Sequence, residues 1–221
     1  MDAKNLIAWR VAQEMKDGDV VNLGIGLPTL VPNYLPADIT ITLQSENGFL
    51  GLGPLSGEPL PNLVNAGGQP CGMVPGGAFF DSAMSFAIIR GGHVDVTVLG
   101  GLQADQQGSL ANWMVPGKMV PGMGGAMDLV SGARTVIVAM EHATRDGGAK
   151  ILKRCTLPLT AFGRVTAIVT EMAVFRFIKG ALTLTETAPG VTVEAIRART
   201  EADFKVSPDC REMRTPALTA K

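Results

Sequence analysis

The stretch VVNLGIGLPTLVPNY at residues 20–34 sets the expected fold. Its first four residues form a short apolar run, which predicts a buried strand. Gly24-Ile25-Gly26 then predicts a tight turn, and the residues after Pro28 predict a short helix. A strand, a glycine turn and a helix in this order form a βα unit, which is typical of α/β domains.

The same alternation continues along the rest of the chain. Apolar side chains recur at helical spacing in residues 2–16, and residues 82–89 also predict a helix. We expect further strands at 39–43, 94–99, 134–140, 167–170, 174–178 and 181–186, a hairpin turn at Lys179-Gly180, and a last helix at 193–200. The nearly continuous apolar run at 134–140 predicts a parallel strand in the middle of the sheet.

These elements predict one α/β domain whose mostly parallel open sheet is flanked by helices. We place this domain at residues 1–206. Residues 207–221 are polar and contain prolines, so we expect a frayed C-terminal tail there.

Composition and charge argue against several classes of function. The 221 residues are 46% hydrophobic, which is enough to fill a core, and the formal net charge is −1. Lys and Arg are scattered, so neither a nucleic acid nor an anionic membrane is an expected partner. The longest uncharged stretches are broken by Pro and Gly, and the N-terminus predicts no targeting segment. We therefore expect a cytoplasmic protein.

The cysteines and histidines do not predict a metal site. Cys71, Cys155 and Cys210 form no C-x-x-C pair, which favours free thiols over a disulfide framework or a zinc site. His93 and His142 are the only histidines, and no cluster has metal-ligand spacing. We expect both histidines to be structural.

The glycine motifs exclude two nucleotide-binding functions. Gly24 and Gly26 resemble a dinucleotide fingerprint, but its third glycine is replaced by Thr29. The turn could instead hold a phosphate or thioester oxygen, or be a plain strand-to-helix connection. Gly117-Lys118 lacks the Ser or Thr that a P-loop needs next. The serine-hydrolase elbow G-x-S-x-G is also absent.

Glu46 is the carboxylate that the sequence places best for chemistry. It lies in the run Ser45-Glu46-Asn47-Gly48, just after the predicted strand at 39–43. Ligand crevices of open α/β sheets form at the carboxyl ends of strands, because loops converge there on a rigid frame. Residues 50–80 predict a long, structured loop region with one strand near Met73-Val74, and such loops are often functional. The alternative is a surface carboxylate in a polar turn.

A set of motifs taken together carries a family resemblance. They occur in this order: NLGIGLPT at 22–29, SENG at 45–48, GLGP at 51–54, NAG at 65–67, RGGH at 90–93, and the segment 110–129. From about residue 3 to about residue 205 the chain resembles the beta, catalytic subunit of the 3-oxoacid CoA-transferase family.

The resemblance implies roles for particular residues. Glu46 matches the family's nucleophile, which forms a glutamyl-CoA thioester in ping-pong catalysis with a coenzyme A thioester as substrate and no cofactor. Gly125 matches the residue whose backbone N–H stabilises the oxyanion. Gly24 and Gly26 are expected to line the pocket near the thioester. Asn47 and Gly48 are expected to shape the turn that presents Glu46.

The resemblance also implies a substrate class and a partner. The run VPGKMVPG at residues 115–122 is similar to the acetate and butyrate–acetoacetate branch, which implies short-chain acyl or 3-oxoacyl substrates. A homologous alpha subunit is implied, in a hetero-oligomer of the α2β2 type. Two alternatives stay open: an acyl-CoA hydrolase that uses the same glutamate, and a non-catalytic ligand-binding module of the same fold.

Overall fold

The computed structural model describes residues 1–117 and 122–215. Its helices are α1 (Ala3–Ala12), α2 (Ser82–Arg90), α3 (Ala126–Gly132) and α4 (Val193–Ala198), and a 3₁₀ helix spans Leu27–Tyr34. Its strands are β1 (Val20–Leu23), β2 (Thr42–Ser45), β3 (Phe49–Gly53), β4 (Gly72–Phe79), β5 (Val96–Gly100), β6 (Gln103–Asp105), β7 (Leu110–Ala111), β8 (Thr135–Ala139), β9 (Ile151–Leu152), β10 (Ala167–Val169), β11 (Ala173–Ile178), β12 (Ala181–Thr187) and β13 (Lys205–Glu212).

A ten-stranded sheet organises the chain, in the order β13-β12-β11-β10-β8-β5-β1-β2-β3-β4. The run β10-β8-β5-β1-β2 at its centre is parallel throughout. The pairs β2-β3, β3-β4, β10-β11 and β11-β12 are antiparallel. The prediction of an α/β domain with a mostly parallel sheet is confirmed, and β8 lies in the middle as expected.

The sheet has a hydrophobic core on each face, because the central strands are apolar on both sides. Along β8, Val136 and Val138 join the cluster that also contains Ile89 of α2 and Leu129 of α3. Ile137, between them, joins the cluster formed with α1. This alternation follows from the two-residue repeat of a strand.

Two local predictions are confirmed, and one of them, the first helix, has a changed end. Helix α1 begins at the expected place, where the Asp2 side chain accepts a hydrogen bond from the Asn5 N–H at 2.8 Å, but it ends at Ala12. Lys179 and Gly180 form the predicted hairpin turn, with φ of 50° and 76°. Positive φ at both central residues suits the right-handed twist of the flanking strands.

Several strands lie where the sequence predicted none. The structure has β3 inside the predicted loop region, and β2 begins at Thr42 rather than at residue 39. A separate three-stranded sheet, β7-β6-β9, was not predicted either. These strands are short or rich in glycine, so their periodicity is weak, and their pairing is fixed by tertiary contacts.

The expectation of a frayed tail from residue 207 is wrong for residues 207–212. They belong to β13, which pairs in parallel with β12 at the edge of the sheet, so the predicted boundary at residue 206 falls inside a strand. An edge strand tolerates polar side chains and a proline because one side faces solvent. Residues 216–221 lie outside the described residues.

Candidate active site

A tight turn at the end of β2 presents Glu46. The strand ends at Ser45, two residues beyond the predicted end at residue 43, so Glu46 follows it directly. The Gly48 N–H donates to the Ser45 carbonyl at 3.0 Å. Gly48 has φ of 121°, and a Cβ added there would collide with the Phe80 carbonyl oxygen. The turn therefore requires glycine at this position.

Asn47 fastens the same turn to the neighbouring loop. Its side chain accepts a hydrogen bond from the Ser45 hydroxyl and donates one to the Val64 carbonyl at 2.8 Å. Asn47 does not have a positive φ, so of the two residues Asn47 and Gly48 only Gly48 has positive φ. The expected turn-shaping part of Asn47 thus rests on side-chain hydrogen bonds.

Asn22 contacts the carboxylate directly, and the sequence did not predict this. Its Nδ2 donates to Glu46 Oε2 at 3.1 Å, and to the backbone and side-chain oxygens of Gln44 at 3.2 and 2.7 Å. Asn22 is only 1% exposed. The signal in the sequence was a single amide inside the apolar run VVNL, where a buried polar residue needs partners.

A cavity of about 600 Å³ opens at Glu46. Its walls come from the ends of β1 and β5 and from the segments around Trp113 and Gly125. Among the described residues that line it, Glu46 is the only one with a charged side chain. None of these described residues offers Glu46 a cation, so the carboxylate is available to a ligand as far as they are concerned.

Gly125 lies directly against the Glu46 side chain. A Cβ added at Gly125 would come within 3.4 Å of Glu46 Cγ. Gly125 precedes the first residue of α3 and has φ of −82°, so the backbone there is unstrained. The two residues that the resemblance placed together are therefore neighbours in the structure.

The two glycines of the first turn have different surroundings. Gly24 lines the cavity, but its N–H donates to the Val98 carbonyl at 2.8 Å. This N–H therefore takes part in a backbone hydrogen bond to β5 and is not free for a ligand. Gly26 is not among the residues that line the cavity. It is the N-cap residue of the 3₁₀ helix and has φ of 87°. Lys118 and the rest of 118–121, part of the predicted loop, lie outside the described residues.

A second, smaller cavity of about 270 Å³ adjoins the first. It has mostly apolar walls, from the 3₁₀ helix, the ends of β1 to β3 and the loop that follows β3. Ile25 and Ala66 line both cavities. Ile25 is 71% exposed, so the two cavities share an apolar side chain that is accessible to a ligand.

The thiols and the buried histidine are poor candidates for the chemistry. Burial and then Asp105 raise the pKa of the Cys155 thiol to about 12, and burial raises the pKa of Cys71. Burial, followed by the charges of Arg199 and Lys150, lowers the pKa of His142 to about 4. His142 has its two ring nitrogens 2.9 Å from threonine hydroxyls, which is a structural arrangement.

The described residues contain neither a cluster of metal-ligating side chains nor a membrane-spanning helix. No group of three or more His, Cys, Asp or Glu side chains that could hold a metal ion occurs among them. In the same part of the chain, no helix is long and apolar enough to cross a bilayer.

Comparisons with known proteins agree with one another. The sequence profile of the Coenzyme A transferase family matches residues 4–199. The chain is 67% identical over 214 residues to the beta subunit of the acetate CoA-transferase of Escherichia coli, covering 97% of this chain and 99% of that protein. It is 53% identical over 208 residues to one subunit of a probable succinyl-CoA:3-ketoacid coenzyme A transferase of Bacillus subtilis, covering 93% and 96%.

A solved structure shows the same fold. The apoenzyme of an acyl-CoA transferase from Escherichia coli superimposes with a TM-score of 0.78 at 23% identity. The match covers 96% of this chain and 43% of the solved chain. The chain therefore spans less than half the length of that structural relative.

Proposed function

Because this chain belongs to the coenzyme A transferase family, as a subunit of the beta type, we propose that Glu46 is its nucleophile. The reaction moves coenzyme A between a short-chain acyl-CoA or 3-oxoacyl-CoA and a free carboxylic acid. One observation carries the proposal: the Glu46 carboxylate faces a cavity of about 600 Å³ and is the only charged side chain among the described residues that line it.

The first half-reaction forms two covalent intermediates. Glu46 Oε1 attacks the thioester carbonyl carbon, the carbon–sulfur bond breaks, and coenzyme A leaves as its thiolate. The product is an acyl-glutamyl anhydride. The thiolate then attacks Glu46 Cδ, the bond from Cδ to the bridging oxygen breaks, and the acyl group leaves as a free carboxylate. A glutamyl-CoA thioester remains on the enzyme.

The second half-reaction reverses these steps with another acid. The incoming carboxylate attacks Glu46 Cδ and expels the thiolate, which gives a new anhydride. The thiolate attacks the acyl carbonyl carbon of that anhydride and Glu46 leaves as a carboxylate. Every intermediate is an activated acyl group, so the exchange needs no other source of energy and no cofactor.

We propose two donors for the oxyanions that these attacks create. Asn22 Nδ2 donates to Glu46 Oε2, which becomes the glutamyl carbonyl oxygen once Oε1 is acylated. Negative charge develops on that oxygen whenever Cδ is attacked. The backbone N–H of Gly125, which lies against the Glu46 side chain, is proposed to serve the acyl carbonyl. Loss of one such donor costs about 10²–10³-fold in rate.

The substrate class rests on the relatives. The names of two similar proteins specify acetate and 3-ketoacids as substrates. The mostly apolar cavity beside the site suits a short acyl chain better than a second carboxylate. The interpretation of residues 115–122 as a short-chain signature stays a prediction, because 118–121 lie outside the described residues.

We also propose a partner, a homologous alpha subunit in an α2β2 assembly in the cytoplasm. The named relatives are subunits, and the solved acyl-CoA transferase chain is more than twice as long as the part that this chain matches. A second homologous half is the simplest account of the extra length.

The test is to trap the intermediate. The chain, assembled with its alpha partner, is incubated with acetoacetyl-CoA, treated with borohydride or hydroxylamine, and mapped by peptide mass spectrometry. We expect the modification on Glu46 and none in Glu46→Gln. Glu58→Gln, which changes an exposed glutamate in the loop after β3, is the matched control and should behave as wild type.

Two outcomes would contradict the proposal. Exchange without an adduct, together with full activity of Glu46→Gln, would show that another group is the nucleophile. Release of free acid and coenzyme A at the same rate with and without an acceptor acid would identify a hydrolase instead.

A further inference from the structure

A row of buried polar side chains crosses three neighbouring strands beside the site. The register pairs Asn22 of β1 with Gln44 of β2 on one side and with Thr97 of β5 on the other. Register partners on adjacent strands project from the same face, so the three side chains lie side by side. Their exposed fractions are 1%, 3% and 0%. Because bulk solvent does not reach these side chains, the orientation of each one depends on hydrogen bonds to its neighbours.

Ser85 of α2 contacts the row at Gln44 and fixes the direction of its hydrogen bonds. The Ser85 hydroxyl donates to the Ser45 carbonyl at 3.2 Å, so it accepts from Gln44 Nε2 at 2.9 Å. Gln44 Oε1 is thereby turned toward Asn22 Nδ2, which donates to it at 2.7 Å and to Glu46 Oε2 at 3.1 Å. A flipped Asn22 amide would set its oxygen against two acceptor oxygens, so the row selects one orientation.

The opposite end of the row holds a complementary pair. Asn22 Oδ1 and Thr97 Oγ1 are both buried, and neither has a hydrogen-bond partner among the described residues. The first atom needs a donor and the second has a proton to give. A hydrogen bond from Thr97 Oγ1 to Asn22 Oδ1, made directly after a rotation of the threonine side chain or through one buried water, would satisfy both. Thr97 would then complete the orientation of Asn22 from its other side.

We propose that Thr97, Gln44 and Ser85 are positioning residues that hold the Asn22 carboxamide against Glu46. This inference rests on the proposed function. None of the three is among the described residues that line the cavity at Glu46, so they act through Asn22. An Asn22 amide that donates to Oε2 leaves Oε1 as the attacking oxygen. The same amide stays in place when the glutamyl carbonyl is attacked.

The test compares Thr97→Val, Gln44→Met and Ser85→Ala in the enzyme assembled with its alpha partner. The rate of Glu46 modification by acetoacetyl-CoA is measured in single turnovers, and KM is measured in steady-state assays of the same enzymes. We expect each substitution to slow modification about tenfold with little change in KM.

A double-substitution cycle separates positioning from lost packing. With Asn22→Ala already present, the same substitutions should change the rate by less than about twofold, because their effect passes through Asn22. Thr97→Ser restores the hydroxyl and should recover the wild-type rate. Thr183→Val removes another buried threonine hydroxyl, on β12, and should leave the rate unchanged.

The possible failures are distinguishable. Wild-type rates of modification in folded Thr97→Val and Ser85→Ala overturn the inference, even if the wild-type enzyme is modified on Glu46. Equal slowing with and without Asn22 also overturns it, because the row then acts only by packing. If the wild-type enzyme forms no adduct and Glu46→Gln stays active, the proposed function fails, and the inference fails with it. Thr97→Val exchanges one hydroxyl for a methyl group, so it keeps the test available if Gln44→Met does not fold.

Discussion

Asn22 Nδ2 lies 3.1 Å from Glu46 Oε2, although Asn22 belongs to β1 and Glu46 follows β2, 24 residues later in the chain. The contact exists because β1 and β2 pair in parallel with Asn22 opposite Gln44, two residues before Glu46. One hydrogen bond thus links the middle of a buried strand to the carboxylate at the edge of the sheet.

Substitution Asn22→Ala should lower kcat about 10²-fold with a smaller change in KM, because the lost donor acts on charge that develops during the reaction. Steady-state kinetics of the assembled enzyme check this. Asn33→Ala removes an exposed amide from the 3₁₀ helix and is the matched control. An unchanged kcat in Asn22→Ala would show that the contact is not used in catalysis.

Substitutions at Gly125 should distinguish a loss of rate caused by crowding of Glu46 from a loss of stability. The added Cβ of Gly125→Ala would make ordinary contact with Glu46 at 3.4 Å, so we expect near-wild-type stability and a modest loss of rate. Gly125→Val is branched at Cβ and should cost about 10²-fold in kcat, since a displacement of about 1 Å at a reacting group has that effect.

Gly100→Ala serves as the control for Gly125. It lines the same cavity, and a Cβ added there would meet nothing within 4 Å. Its kcat should stay within about threefold of wild type. Equal losses at both positions would mean that the cavity as a whole, rather than the neighbour of Glu46, is sensitive to size.

The sequence predicted the position of Glu46 but not its contacts. Apolar alternation and the turn residues after it are local signals, so the end of β2 could be predicted from neighbours in the chain. The contact with Asn22 depends on register between strands, and Gly125 was placed only through a family resemblance. β3 carries glycines that weaken its pattern, and β13 is polar because it lies at an edge. Such elements are set by the tertiary structure.

His142 should make the folded state sensitive to acid. Its pKa is lowered from 6.5 to about 4 by burial and by Arg199 and Lys150, so the unfolded chain takes up a proton first. The stabilisation is complete above pH 6.5 and is lost as the pH falls from 6.5 through about 4. Its size is about 3 kcal/mol, from the size of the shift.

Urea unfolding at several pH values measures this contribution. We expect the free energy of unfolding of His142→Gln to depend less on pH in that window than that of wild type. Carboxylates titrate in the lower part of the window, so the difference between the two proteins is the quantity to compare. Thr183→Val, which changes a buried side chain without a titratable group, is the control and should keep the wild-type slope. Equal slopes for His142→Gln and wild type would contradict the assignment.

Breaking the buried ion pair between Arg10 of α1 and Glu186 of β12 should cost far more stability than breaking a surface pair. Its two hydrogen bonds are 2.7 and 2.8 Å, and each side chain is 7% exposed. Glu186→Gln leaves a buried guanidinium short of one partner and should cost about 3 kcal/mol in the free energy of unfolding. Asp203→Asn breaks the exposed pair with Lys153 at 3.8 Å and should cost at most about 0.5 kcal/mol. Similar losses in the two variants would show that burial does not govern the energetics of these pairs.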